Sequence, residues 1–309
     1  MRLITTFIKI GAVAFVIAVA CSEETPLEDA KTKAPAFIAR WGRPGRENGD
    51  FYNPYGVAVA PSGDVYVADT NNSRVQYFTP AGSFLGKWDV APGYWSPYSI
   101  AVAPNGAIYV GDRSKKRIVY FTGAGNLLGS WGSHGEGKGE FVGPAAVAVS
   151  PKAVVYVADY DGRIQYFDAV GTYEGGWGSE GVGTGEFWLP EGIAVGPGGH
   201  VYVADTGNNR VQYFTSTGFY LGGWGGFGDG PGEFDEPVRL AVGPAGTVFV
   251  VDNGNRRVQY FTSDGGYLGT FGSGGVRKGE FVNPYGIAIT GRRVIYIVDA
   301  YNCWVQYFY

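Results

Sequence analysis

Six aspartates recur at fixed spacing along this chain of 309 residues: Asp69, Asp112, Asp159, Asp205, Asp252 and Asp299 each stand 15 residues after a proline. An arginine follows five of them (Arg74, Arg117, Arg163, Arg210 and Arg257), and Trp304 takes that place after the sixth. Carboxylate and guanidinium so close together can form a charge-assisted pair. A pair repeated with the period of the chain is assigned to holding turns or neighbouring units together. Positions that break the period are better candidates for chemistry. Directly after the same prolines come Tyr55-Gly56, Tyr98-Ser99, Ala145-Ala146, Glu191-Gly192, Val238-Arg239 and Tyr285-Gly286. Tyr55, Tyr98, Glu191, Arg239 and Tyr285 could line a pocket for a polar or aromatic-stacking ligand. They could equally plug a water-filled channel.

Other chemistries find less support. The two histidines, His134 and His200, fall in different kinds of connector and are not expected to share a metal. No metal site is expected, although "FGDGPGEFDEP" offers Asp229, Glu233, Asp235 and Glu236 as hard ligands for calcium. A solvated loop is the simpler account of it. No Gly-x-Ser-x-Gly turn is present, and Cys303 falls in a strand pattern without an evident base. Phosphate-cradling glycine motifs are missing. The basic run "DRSKKR" at 112–117 is read as a solvated turn, and a formal charge of −4 gives no basic face for nucleic acid.

The elements that must position these residues follow from composition and repeat. Glycine, at 52 residues, exceeds twice its usual share, and Val, Tyr, Phe and Trp are plentiful beside a single Met. This suits short strands joined by tight turns rather than helices. Pro54, Pro97, Pro144, Pro190, Pro237 and Pro284 open six copies, at steps of 43, 47, 46, 47 and 47 residues. Each copy reads as four β runs, such as "GVAVA", "VYVAD", "RVQYF" and "FLGKW", with Gly or Asn turns between them. A four-stranded unit recurring every 40–50 residues implies a propeller blade. The last copy stops at "WVQYFY", and "FIARWG" at 37–42 has the character of its missing fourth strand. The expected fold is therefore all-β: a six-bladed β-propeller of four-stranded antiparallel blades, closed by the N-terminal strand 37–42, which completes the last blade.

The copies resemble the NHL family of six-bladed propellers over residues 37–309. The likeness rests on the Pro-x-Gly-[Ile/Val]-Ala-Val start, the Val-Tyr-Val-Ala-Asp second strand, the "NNRVQYF" third strand, and connectors such as "GEGKGEFVGP" and "GVGTGEFWLP". It implies the fold and says little about activity, because propellers host unrelated functions. Related six-bladed lyases and lactonases hold a metal at the channel mouth; at the matching blade starts this chain offers only Glu191. The Glu of each "GEF" and the endings Trp41, Trp88, Trp131, Trp177, Trp224 and Phe271 are read as structural.

Residues 1–20 have a basic start and an apolar core of signal-peptide length. "AVAC" at 18–21 supports Ala-x-Ala cleavage, and it also resembles a bacterial lipobox with Cys21 as the lipidated residue. The polar stretch that follows, to residue 36, suits a tether. The expectation is an exported monomer at the bacterial cell envelope, in the outer membrane or periplasm, touching membrane only through its lipid; secretion is the alternative. Its connectors of most varied length and sequence share one face, where a protein, peptide or glycan would bind. A metal-dependent lyase or hydrolase, and a purely structural or assembly role, are the rival readings.

Overall fold

In the computed structural model, residues 34–89 and 94–309 are described; the segment expected to be a leader, Cys21, and most of the expected tether lie outside them. Six four-stranded antiparallel sheets form the blades of a propeller. The first strands (Pro54–Val59, Pro97–Val102, Pro144–Val149, Pro190–Val195, Pro237–Val242 and Pro284–Ile289) each touch the first strands of both neighbouring blades, so they close a circle round the axis. Each is an edge strand of its own sheet.

Sequence pattern explains the layering. Second strands such as Val65–Asp69 are buried along their whole length, because a neighbouring blade covers each face. Hence they read as unbroken apolar runs rather than alternating ones. Fourth strands such as Phe84–Trp88 alternate between half-buried and exposed, since at the rim only one face has a partner.

Strand Phe37–Trp41 pairs antiparallel with Trp304–Phe308 and completes the sixth blade, as the repeat implies. Two backbone bonds between Ala36 and Tyr309, of 2.9 and 3.0 Å, extend the pairing by one step. Gly42 adopts φ +93°, a left-handed conformation, and the strand ends there. The first strands begin at the prolines themselves rather than after them. Pro54 stands opposite Asp69, with a bulge before Gly56 meets Ala68. Proline is tolerated there because the strand is an edge.

Blades are keyed to each other by aromatics. Trp41, Trp88, Trp131, Trp177 and Trp224 sit against Gly82, Gly125, Gly171, Gly218 and Gly265 of the next blade, where an added Cβ would come within 2.5–2.7 Å of an indole. Those glycines also have positive φ, so no other residue fits the turn without strain. Second-strand tyrosines complete the key. Tyr66, Tyr109, Tyr156, Tyr202 and Tyr296 each donate their hydroxyl to a carbonyl of the following blade at 2.8–3.1 Å. The fifth blade has Phe249 at this position and makes no such bond.

One local reading changes. Cys303 lies not in a strand but in the turn before Trp304–Phe308, with φ +56° and its side chain buried. Ser73, Lys116, Asn209 and Arg256 adopt the same left-handed conformation at the matching turns. The thiol fills an apolar cluster with Phe51, Val57 and Val305, and burial raises its pKa, keeping it protonated.

Trp41 also packs against Phe78, Tyr296 and Tyr307, joining the closing strand to two blades. Trp41→Ala should therefore cost about 3–5 kcal/mol, read as a lowered denaturant midpoint. Trp188→Ala, at a half-exposed indole, should change stability by no more than about 0.5 kcal/mol.

Candidate functional site

The face that carries the long connectors is built on the repeated aspartates. Asp69, wholly buried, accepts the backbone N–H of Tyr52 at 2.7 Å and pairs with Arg74 Nε at 2.7 Å. Arg74 also donates to the carbonyls of Arg46, Glu47 and Asp50. Gln76 bridges Asp50 and Asp69. One charged set thus fastens the connector 43–53 to the turn of the blade that it enters. Copies centred on Asp205 and Asp252 have the same design. The second blade shows the rule by breaking it. Its connector lacks the "GEF" sequence, and Val119 replaces the glutamine that elsewhere binds that connector's carbonyl. Trp95 Nε1 donates to Ser73 O there at 2.6 Å. In the sixth blade Arg40, from the closing strand, stacks its guanidinium 3.8 Å from the Trp304 ring.

At the blade starts the structure brings the five sequence-derived candidates to the channel mouth. The rings of Tyr55, Tyr98 and Tyr285 form one cluster, with centroids 4.8, 4.8 and 5.8 Å apart. Tyr98 and Tyr285 share a short hydroxyl–hydroxyl bond. Tyr98 donates to one oxygen of Glu191 at 3.3 Å, and Tyr160 donates to the other at 3.0 Å. Tyr285 must then be the donor to Tyr98, whose single proton is spent. Burial, with the Glu191 carboxylate beside it, raises the Tyr98 phenol. Burial, then Tyr98 and Glu191, raises Tyr160. Both stay protonated donors. Arg239 spreads its guanidinium 5.2 Å from the ring centroids of both Tyr98 and Tyr285, and donates to Ala145 O at 3.0 Å.

Two members of this cluster, Tyr160 and Arg113, were not among the sequence candidates. Arg113 lies 4.7 Å from the ring centroids of both Tyr98 and Tyr160. Both residues directly follow a repeated aspartate. At the equivalent places Thr70, Thr206 and Asn253 bind the carbonyl of the next blade's opening proline at 2.6–2.8 Å. Arg113 and Tyr160 depart from that pattern, and the departure was the signal available. "DRSKKR" is thus not wholly a solvated turn: its Arg113 belongs to the mouth.

The remaining candidates are dispersed. His134 is exposed in a connector, while His200 is exposed in a first-to-second-strand turn on the opposite face. In the acidic loop Glu233 caps the backbone N–H of Gly230 at 3.0 Å; Glu140, Glu186 and Glu280 cap their own connectors likewise. Among the described residues no three His, Cys, Asp or Glu side chains are grouped as a metal site would require. A concavity of about 750 Å³ forms the wide opposite end of the channel, ringed by first-strand residues such as Val59, Val102, Val149, Val195 and Ile289.

The third blade carries an electrostatic defect. Its turn is one residue shorter, and Asp161 is present where Asn72, Asn208, Asn255 and Asn302 elsewhere donate to the repeated aspartate. Burial and the neighbouring Asp159 carboxylate raise Asp161 to about 6, against the pull of Arg163 at 2.6 Å. One oxygen of Asp161 is buried without a partner.

Comparison with known proteins agrees with this architecture. The NHL repeat family model matches residues 51–78 and 187–214. Tripartite motif-containing protein 2 of Rattus norvegicus is 40% identical over 65 residues, which is 21% of this chain and 8% of that protein. The B-box type zinc finger protein ncl-1 of Caenorhabditis elegans is 43% identical over 54 residues, 18% of this chain and 6% of its own length. The chain thus matches only a small part of these relatives. Among solved structures, a Bacteroides thetaiotaomicron protein of unknown function superposes with a TM-score of 0.69 at 17% identity, covering 89% of this chain and 75% of that one. A virginiamycin B lyase from Staphylococcus aureus gives 0.62 at 12% identity, covering 89% and 98%. At such identities the likeness is one of fold. The chain is a six-bladed β-propeller that carries NHL repeats at two of its blades.

Because the Asp161 pKa lies above its unfolded value of about 4, the folded state binds the proton more tightly. Stability should fall as pH rises from about 4 to 6 and stay low above that. Asp161→Asn should remove this slope and stabilise the protein at pH 7 by on the order of 1 kcal/mol, allowing for solvent screening at a half-buried group. Urea midpoints of both proteins across pH 4–8 measure it.

Proposed function

We propose that this propeller is a binding platform, exported and lipid-anchored through Cys21 at a bacterial cell envelope. It takes an extended ligand, a protein segment, peptide or glycan, across the face of its long connectors. The observation that carries this reading is the state of the channel mouth. Tyr98, Tyr285, Tyr160 and Glu191 bond to one another and fill it, so a ligand reaches this face from above rather than entering a deep pocket. Around the mouth are exposed aromatics two or three residues ahead of the blade-start prolines, namely Tyr52, Tyr94 and Trp188, together with Tyr301 in a second-to-third-strand turn. Flat, rigid side chains in such positions stack on sugars or pack on peptide at small entropic cost. Arg113, exposed beside the rings of Tyr98 and Tyr160, adds a polar contact at the centre.

The metal-dependent lyase or hydrolase reading would lean on Glu191. Both oxygens of that carboxylate already accept phenol hydrogens, which favours the platform. The likeness of fold to a virginiamycin B lyase does not carry activity to this chain.

Arrays of envelope oligosaccharides, peptidoglycan fragments and peptides, probed with the purified protein, test the platform. Binding to one class should weaken about tenfold or more on Trp188→Ala, an effect typical of an aromatic anchor, with the melting temperature unchanged. Binding to none, or indifference to Trp188→Ala and Tyr301→Ala alike, would remove the proposal. The anchor has its own test. Cells fed an alkyne fatty acid should label the wild-type chain and leave Cys21→Ser unlabelled; no label on either would replace anchoring by secretion.

A further inference from the structure

One residue inward from the tyrosine plug, the first strands enclose a small cavity on the axis, about 50 Å³ in volume. It exists because the position that follows the plug residue is small in five blades: Gly56, Ser99, Ala146, Gly192 and Gly286. The fifth blade has Arg239 there, and its side chain reaches across the axis to Ala145 on the third blade. Arg239 and Ser99 both line the cavity. Both are buried, exposing only 7% and 3% of their surface. Arg239 Nη1 and Ser99 Oγ have no hydrogen-bond partner.

This arrangement concentrates donors where a charge needs an acceptor. Among the described residues no carboxylate lies within ion-pair distance of Arg239. Glu191, the acid of the mouth, is taken up by two phenols. Arg113 adds a second cation on the outer side of Tyr98. A guanidinium cannot shed its proton to relieve burial, so it needs a counter-ion or water. The first strands, as sheet edges, turn further unpaired backbone N–H groups to the axis.

We propose that this cavity is a site for one monatomic anion of chloride size, held by Arg239 Nη1 and the Ser99 hydroxyl. Its volume suits about one or two water-sized occupants, too little for a hydrated tetrahedral oxyanion. The plug bars organic carboxylates from the connector face. Entry is from the opposite, wide end of the channel, whose walls are the far ends of the same strands. The ion neutralises the arginine that spans the axis and so fastens the third and fifth blades through their centre. This role is independent of any ligand on the outer face.

Crystals of the purified protein grown with bromide in place of chloride test the site directly. Anomalous density should appear in the axial cavity, in contact with Arg239 Nη1. In parallel, melting temperature is followed as chloride replaces gluconate at constant ionic strength. A saturable rise is expected in the wild type, displaced to about tenfold higher chloride in Ser99→Ala and abolished in Arg239→Gln. Should Arg239→Gln fail to fold, the Ser99→Ala titration and the bromide map still decide. An axial cavity without anomalous density, or a chloride response identical in wild type and Ser99→Ala, would overturn the proposal.

Discussion

The pairing of Phe37–Trp41 with Trp304–Phe308 is the constraint on which the rest of the structure depends. Neighbouring blades touch through their first strands, but only a closed circle turns six such strands inward on a common axis. Without closure the sixth blade would present an unpaired edge at Trp304–Phe308, and the residues now gathered at the mouth would lose their common centre. Tyr98 and Tyr285 are 187 residues apart in the chain, yet their hydroxyls bond directly. Arg239 reaches a carbonyl 94 residues away. Contacts of this kind are properties of the ring and of no single blade.

Around that constraint the molecule divides its polar residues by symmetry. The repeated aspartates are wholly buried, which is tolerable only because each accepts backbone N–H groups and side-chain donors. They make the connectors follow one path in blade after blade. On this regular frame the irregular residues stand out: Glu191 and Arg239 at blade starts, Arg113 and Tyr160 after an aspartate, Asp161 in a shortened turn. Four of these five meet at or just inside the mouth. The repeat provides rigidity, and the departures provide a site.

The mouth cluster also shows why a carboxylate at a channel mouth need not be a reactive one. Two protonated phenols hold Glu191, and a third tyrosine donates to one of those phenols. The chain of donors points one way, from Tyr285 through Tyr98 to the acid. Such a network is well satisfied and resists opening. A ligand on this face therefore meets a stable floor with an aromatic rim, and its own shape must be shallow or extended.

The fold was legible in the sequence because a repeat prints the same local rules six times. Proline spacing, second-strand aspartates, turn glycines and the aromatic-glycine endings all depend on short-range geometry, and the orphan "FIARWG" announced the closure. Sequence also marked the five blade-start residues as irregular. It could not show that Arg113 and Tyr160 join them, because their side chains cross from one blade to the space over another. Cys303 was misplaced for a similar reason: its left-handed turn conformation is set by the blade's geometry rather than by cysteine's own preference. Nor could it show that Arg239 and Ser99, each with a buried polar atom lacking a partner, line one cavity. Local chemistry determined the blades, and the ring alone decided which residues from distant blades meet, since their distances follow from closure and not from spacing along the chain.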